Sequence, residues 1–353
     1  MRKISVDLSA IKFNYLELKK LAAPAKVMAV VKANAYGHGM HEVAAALQEI
    51  GVDALGVADL EEAFELRAAG IQSDLMCWLV TPGDDFALAR EQRITIGISN
   101  FEVLEAALSQ GLEDIHIKVD TGLGRNGFTF DQWPEVFSIL SGKRIGLFSH
   151  LANTSSTEDE KQQTAFAAAW QLAKDLGVEV HTKHLAATAG ALSYPHMRHD
   201  MVRCGIGIYG LNPWDDRGYD EFGLKPAMRV SAQVANVKRV PTGQGVSYGY
   251  RYVTDKPTTL VLVPFGYAEG MPRIAQSPEV LIAGQSFKVS GRIAMDQFVV
   301  DVGDHKVSIG DEVVIFGDPA RGEPCAQALG ESAGTINYEI VTRIGGRANR
   351  VYL

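Results

Sequence analysis

From the N-terminus to about residue 210, short β-branched runs alternate with stretches in which apolar residues recur every three or four positions, the pattern of βα units. The runs lie at residues 27–31, 54–58, 75–78, 94–98, 115–120, 145–149, 180–184 and 202–209, about eight units by this reading. The helical stretches between them include HEVAAALQEIG, DLEEAFELRAAG, FEVLEAALSQG and TEDEKQQTAFAAAWQLAKDLG. In the last, Thr157 followed by Glu160 predicts a capping box, and Gly177 predicts the stop. Eight parallel units in roughly 200 residues predict an α/β fold closed as a TIM-like (β/α)8 barrel, since an open doubly wound sheet normally has fewer strands. Beyond Tyr209 the segment NPWDDRGYDEFGLKP is polar and turn-forming, and short alternating runs such as TTLVLVPF, FVVDV and DEVVIFG follow. A barrel domain over residues 1–223 and a mainly β domain over 224–353 are therefore expected.

Composition narrows the function. The chain has 353 residues with 46% hydrophobic and 22% charged, the proportions of a protein that folds throughout. A net charge of -8 offers no positive field for nucleic acid or an anionic membrane. Cys77, Cys204 and Cys325 are odd in number and far apart, which predicts free thiols in a reducing compartment. The start MRKISVDLSAIK lacks a signal-peptide core, and no run reaches the ~18 apolar residues of a membrane span, so the cytoplasm is the expected location.

The chemistry concentrates at AVVKANAYGHG, residues 29–39, where a lysine ends an apolar strand and a glycine-rich turn follows. A barrel's chemistry sits at the C-terminal ends of its strands, so Lys32 is placed at the barrel mouth, where a partly desolvated amine has a lowered pKa and attacks carbonyls. Four residues on, Tyr36 offers a phenol to a phosphate. Physics alone leaves a second reading, a lysine snorkelling from a strand end into solvent. Gly122, Gly124 and Gly127 spell GxGxxG, but on the fifth predicted strand and with no acidic residue some twenty positions on, so a dinucleotide site is not expected. The pairs His181/His184 and His196/His199 fit no zinc spacing; they read as surface or capping histidines, and no metal is expected. Tyr248, flanked by glycine, reads by default as an aromatic at a turn.

The string at Lys32 resembles the pyridoxal-phosphate (PLP) attachment motif of the alanine racemase family, and the resemblance runs over essentially the whole chain. It implies a PLP-dependent racemase with Lys32 holding the cofactor. IKVDTGLGRNG is similar to the family's fifth-strand motif, implying that Arg125 meets the cofactor's phenolic oxygen and the substrate carboxylate, with Lys118 carbamylated beside it. FSHLA and VRCGIGIYG imply His150 beneath a catalytic tyrosine and Arg203 facing the pyridine nitrogen. Tyr36, Thr188, the Gly205 and Ile206 amides and Tyr338 are the implied phosphate contacts. GVSYGYRY implies that Tyr248 is a second base, acting in the partner's site of a homodimer, while Tyr267, Arg273 and Arg292 line the entrance and the Met295 amide meets the substrate carboxylate.

The implied reaction is two-base interconversion of L- and D-alanine for peptidoglycan. Rivals are a broader or serine-directed racemase of the same family, a PLP-dependent decarboxylase, and a non-catalytic PLP-binding protein. An arginine opposite the pyridine, where a decarboxylase is expected to carry a carboxylate, leaves the ring neutral and the carbanion short-lived. The chain departs from the family at Ala187-Thr188 where Asn-Ser is usual, at Ser155 for an aspartate, at Ala294 for a frequent cysteine, and at RANRVY for RVPRVY. None of these removes a reacting group.

Overall fold

A computed structural model describes residues 1–214 and 221–353. Part of the predicted linking segment, residues 215–220, lies outside the described residues. The chain forms two compact units. One comprises Lys12–Ala35 and Met40–Ile208; the other comprises Met1–Ile11, Tyr36–Gly39 and Tyr209–Leu353.

The chain opens with β1 (Arg2–Val6), which belongs to the second unit. The first unit is built on β2 (Lys26–Val30), β3 (Ala54–Val57), β4 (Leu75–Cys77), β5 (Ile94–Ile98), β6 (Ile115–Lys118), β7 (Arg144–Phe148), β8 (Glu179–His184) and β9 (Met201–Cys204). These pair in parallel in the order β8-β7-β6-β5-β4-β3-β2-β9, the eight-stranded sheet of a TIM-like barrel. The seam between β8 and β9 is held by two backbone bonds, Asp200 N to Lys183 O at 3.1 Å and Arg203 N to Ala186 O at 3.0 Å. Most strands are buried on both faces, which explains why they read as continuous apolar runs rather than alternations. Met28, Ala54, Met76, Phe148 and Met201 form one cluster, with Trp78 packed against it.

Side-chain caps start the barrel helices. Asp59 accepts from Glu62 N at 3.0 Å, Asp85 from Leu88 N at 2.8 Å, and Asn100 from Val103 N at 2.8 Å. The expected Thr157/Glu160 box is replaced by an earlier start: Ser155 caps the helix Ser156–Asp175 by accepting from Glu158 N. Ser155 thus performs the capping work that an aspartate at this position also performs.

In the second unit, β10 (Met228–Gln233), β11 (Asn236–Val240), β12 (Gly245–Val246), β13 (Tyr252–Val253), β14 (Thr258–Val263), β15 (Glu279–Ile282), β16 (Gln285–Lys288), β17 (Phe298–Gly303), β18 (Glu312–Phe316) and β19 (Asn349–Tyr352) make three sheets. β1 sits between β10 and β19, antiparallel to the first and parallel to the second. The sequence places the division at residue 223/224 with the N-terminus in the barrel; packing puts the turn at Tyr209 and joins Met1–Ile11 to the β unit. The cause is non-local, since the partners of β1 lie more than 200 positions away. Among the described residues no helix is long and apolar enough to cross a membrane.

Glu269 is fully buried in this unit. Its carboxylate accepts from Gly266 N at 2.9 Å and from Arg347 Nε at 2.6 Å, and Arg2 Nε lies 3.4 Å away. Arg347, from the divergent RANRVY string, also pairs with Asp296 at 2.7 Å. Removing Glu269 leaves the Gly266 amide and the Arg2 guanidinium without their buried acceptor, so Glu269→Ala is expected to cost on the order of 1–3 kcal/mol of unfolding free energy. Urea titration of the cofactor-free protein measures this; a loss below ~0.5 kcal/mol would contradict it.

Candidate active site

In the barrel unit the residues singled out by sequence stand just past the C-terminal ends of the strands: Lys32 after β2, Lys118 ending β6, Arg125 in the loop beyond it, His150 after β7, Thr188 after β8, and Arg203 and Gly205 on and after β9. The turn that follows Lys32 is left-handed, with Ala33, Asn34, Ala35 and Tyr36 all at φ of 52–54°. Its sequence has no glycine at these positions, so the conformation is imposed by its surroundings. Burial lowers the Lys32 amine below the ordinary lysine range and Arg125 adds to the effect, against Glu62. Lys118 is pushed down to about 8, first by burial and then by Arg203 and Arg125. Its Nζ bonds Asn126 Oδ1 and lies 5.7 Å from the Phe148 ring centroid.

The loop carrying Arg125 folds back on β6. Phe128 N donates to Lys118 O at 2.8 Å, Asp120 N donates to Phe128 O at 2.9 Å, and Asp120 Oδ1 accepts from the Gly122 and Gly124 amides. A Cβ at Gly127 would lie 2.8 Å from Asp120 N, and φ there is +122°, so glycine is required by both space and backbone. The GxGxxG string is thus a loop doubling back on its own strand, not the opening of a helix onto a dinucleotide.

Arg203 is 5% exposed, and both of its Nη atoms face acceptors. Nη1 donates to His184 O and His184 Nδ1, both at 2.9 Å; Nη2 donates to Ser149 O at 2.6 Å, Leu185 O at 2.9 Å and His150 Nδ1 at 3.2 Å. Burial lowers its pKa to about 10, so it remains a cation at neutral pH. A guanidinium only donates, which assigns the tautomers around it: His150 and His184 accept at Nδ1 and carry their hydrogen on Nε2. His184 Nε2 then donates to His116 Nδ1, 2.7 Å away. His116 is left with its hydrogen on Nε2. The expectation that His184 is a surface or capping histidine is therefore corrected, since it is completely buried and stacks on Phe148 at 4.9 Å. His196 and His199 do bond side chains near the surface, Glu160 and Gln163. Asp114, His116 and His181 bring ligand-type atoms within 4.8 Å of one another, but a hydrogen rather than a lone pair on His116 Nε2 disfavours a metal there.

Burial drives His150 and His184 well below the ordinary histidine range and His116 down to about 3, with Arg203 adding to each. Above about pH 6.5 these groups are neutral folded and unfolded; below it the unfolded chain takes up protons that the folded chain refuses. Stability is therefore full above the unfolded pKa and lost as pH falls, with three histidines giving a slope of up to about 4 kcal/mol per pH unit. Urea titrations at pH 7.5 and pH 5.5 check this, and equal free energies would refute it.

The Thr188 hydroxyl accepts from Gly205 N at 3.1 Å. Ala187 precedes it at the helix start without a side-chain cap, and Ile206 opens a short 3-10 turn. Lys32, Lys118, Arg125 and Arg203 form a cationic group around neutral His150, while the neighbouring carboxylates Asp120 and Glu62 spend their oxygens on backbone amides. This donor set fits an anionic, phosphorylated aldehyde: a lysine of lowered pKa for the aldehyde and four cations that the nearby Asp120 and Glu62 offset only in part.

In the other unit, Tyr36 stands with its ring 5.1 Å from Tyr209 and 6.2 Å from Tyr338, so both tyrosines expected at the phosphate belong to one aromatic cluster. Three further segments of this unit converge. Ser247 Oγ donates to Arg292 O at 2.6 Å; Tyr267 N and Ala268 N donate to Ala294 O and Met295 O at 3.1 and 2.9 Å. Tyr248 is 69% exposed on a strained turn, with Ser247 at φ 60° and Tyr250 at φ 41°. Met295 is exposed and its amide donates to no backbone group among the described residues, while Arg273 is exposed two residues beyond Met271. The sequence did not single out Glu62, Ser149 or His184 as functional. His184 was detectable only as a polar residue closing an otherwise ordinary strand.

A closed barrel with a cationic cluster at the C-terminal ends of its strands, joined to a β unit that displays an exposed tyrosine, defines a two-domain barrel enzyme. Residues 6–213 match the model of the alanine racemase N-terminal domain and residues 227–352 that of the C-terminal domain. Alanine racemases of Beutenbergia cavernae and Thermobifida fusca are 42% and 43% identical over 99% and 98% of the chain, covering 97% and 96% of those proteins. The crystal structure of alanine racemase from D-cycloserine producing Streptomyces lavendulae superposes with a TM-score of 0.96 at 42% identity, over 100% of this chain and 97% of that one. The chain belongs to the alanine racemase family.

Proposed function

We propose that this enzyme interconverts L-alanine and D-alanine with pyridoxal phosphate as cofactor, acting as a homodimer in the cytoplasm and supplying D-alanine for peptidoglycan. The observation that carries the reading is Arg203, a cation buried among acceptors where a PLP decarboxylase is expected to place a carboxylate. Lys32 would hold the aldehyde carbon, the Thr188 hydroxyl with the Gly205 and Ile206 amides, Tyr36 and Tyr338 the phosphate, and Arg203 the pyridine nitrogen. When bound, the cofactor supplies an electron sink that acidifies the substrate's α-hydrogen. Arg125 and the Met295 amide orient the substrate carboxylate, with Tyr267, Arg273 and Arg292 lining the approach. A carbamate on Lys118 would aim Arg125 by a bidentate, charge-assisted pair; the Lys118 pKa of about 8 leaves free amine available for that modification near neutral pH.

Two groups move the proton. Tyr248 takes it from L-alanine on one face and Lys32 returns one on the other; the roles exchange for D-alanine. A phenol has an ordinary pKa near 10, so it needs help to act as a base. His150 supplies part of that help, because its Nδ1 is occupied by Arg203 and its Nε2–H is left to donate to a phenolate. Tyr248 is exposed on its own chain, which supports its acting in a second copy's site.

The test is purification with added cofactor, borohydride reduction with peptide mapping, and D-alanine formation from L-alanine. Label on Lys32 with racemisation supports the reading; label elsewhere, or none, refutes it. Mixing Lys32→Ala and Tyr248→Phe chains tests the shared site: mixed dimers carry one intact site of two, so about a quarter of parental activity should return. No recovery would show that both groups serve the same chain.

A further inference from the structure

The turn after Lys32 keeps Ala33, Asn34, Ala35 and Tyr36 in the left-handed region. Each such residue costs roughly 1–2 kcal/mol, so the turn persists only if its neighbours over-determine it. Several of these holds lie within the barrel unit. Val31 N donates to Gly56 O and Ala35 N to Val31 O, both at 2.8 Å; Asn34 Oδ1 accepts from Met40 N at 2.9 Å. Another is Glu62, whose Oε1 accepts from Ala33 N at 2.6 Å and whose Oε2 accepts from Ala58 N at 2.8 Å.

From this geometry we propose that Glu62 is a positioning residue for Lys32, clamping the first amide of the left-handed turn to the end of the neighbouring barrel strand. Ala33 directly follows Lys32, and rotation of the peptide between them swings the direction in which the lysine side chain leaves the backbone. Ala58 follows β3, the strand paired with β2. One carboxylate therefore fixes two adjacent strand exits relative to each other. Glu62 is itself fixed, since its own amide is held by the Asp59 cap at the start of the helix Leu60–Ala68. Both bonds have an ionised acceptor, which makes them stronger than ordinary backbone bonds. Aspartate is a methylene too short to keep both, and glutamine offers only one oxygen for two amides.

The inference rests on Lys32 being the cofactor lysine, and the experiment separates the two. Glu62→Gln keeps the volume but sets an NH2 group against one N–H. In the cofactor-free protein, hydrogen exchange of the peptide spanning residues 31–36 should quicken by about tenfold or more, one lost bond's worth. The pH midpoint for acylation of the Lys32 amine should fall, because the charge that favours its protonated form is gone. In the loaded enzyme kcat should drop on the order of 100-fold, as expected for a reacting group displaced by about an ångström, with KM for alanine within about threefold. Glu62→Asp, which keeps the charge, should restore the pH midpoint but not kcat. Parental exchange, midpoint and kcat in Glu62→Gln would overturn the proposal, and so would a lower melting temperature with parental midpoint and kcat. A parent protein that borohydride labels elsewhere than Lys32 refutes the reading of Lys32 and not the clamp.

Discussion

In Tyr248→Phe, L-alanine is expected to stop exchanging its α-hydrogen with deuterated solvent while D-alanine continues to do so. The argument is one of faces. Racemisation needs a group on each side of the α-carbon, and the variant removes the phenolic oxygen from one side only. On the proposed mechanism Lys32 would still abstract from D-alanine and return deuterium to the same face, giving exchange without inversion. General base catalysis by a placed group contributes roughly 10²–10⁴-fold, and net racemisation should fall by that much in both directions, since each needs both groups. The fold should survive, because Tyr248 is 69% exposed and phenylalanine differs only by its oxygen. Proton NMR of the α-hydrogen, run separately on each enantiomer, reads the outcome. Equal loss of exchange from both enantiomers would remove Tyr248 from the L face.

The same tyrosine illustrates what a sequence carries and what it withholds. Strand-end patterning singled out Lys32, because strand ends in a barrel are where polar residues interrupt apolar runs, whereas Arg125, Arg203 and Tyr248 were reached only through the resemblance of their strings to the family's motifs. Most of the barrel strands were legible for a related reason: buried on both faces, they stand out as short apolar blocks; β8, polar and only partly buried, is the exception. β1 was not, since a five-residue strand with only Ile4 and Val6 as bulky apolar anchors has no local signature, and its partners lie at the far end of the chain. The Ser155 cap was missed because Thr157 and Glu160 offered a formally better box two residues on. The His184–His116 pair was invisible because its spacing of 68 positions reflects the barrel's closure and not any local pattern. Glu62 looked like one more acid in a helix's first turn, and only the neighbouring strand's exit gives it a second amide to hold.

Lys32→Ala should give the complementary result with a larger effect. On the proposed mechanism the variant removes the base on the D face, so D-alanine should no longer exchange, and it also removes the amine proposed to hold the cofactor, so borohydride should fix no label on the chain. Residual cofactor affinity is expected to survive through the Thr188 hydroxyl and the surrounding cations, because these lie on other strand ends and do not depend on the lysine. Removal of a positively charged amine also changes its neighbours. Lys32 is among the cations that depress Lys118 and His150, so both should move back toward their ordinary values in the variant. That shift separates loss of a reacting group from collapse of the site: titration of His150 by NMR should rise while the cationic cluster stays assembled. Racemisation should fall by more than the ~10⁴-fold upper range for losing a general base alone, since covalent attachment is lost with it. Substantial racemisation in Lys32→Ala, or an unaltered borohydride label, would displace this lysine from the centre of the mechanism and leave the left-handed turn behind it without a function to justify its strain.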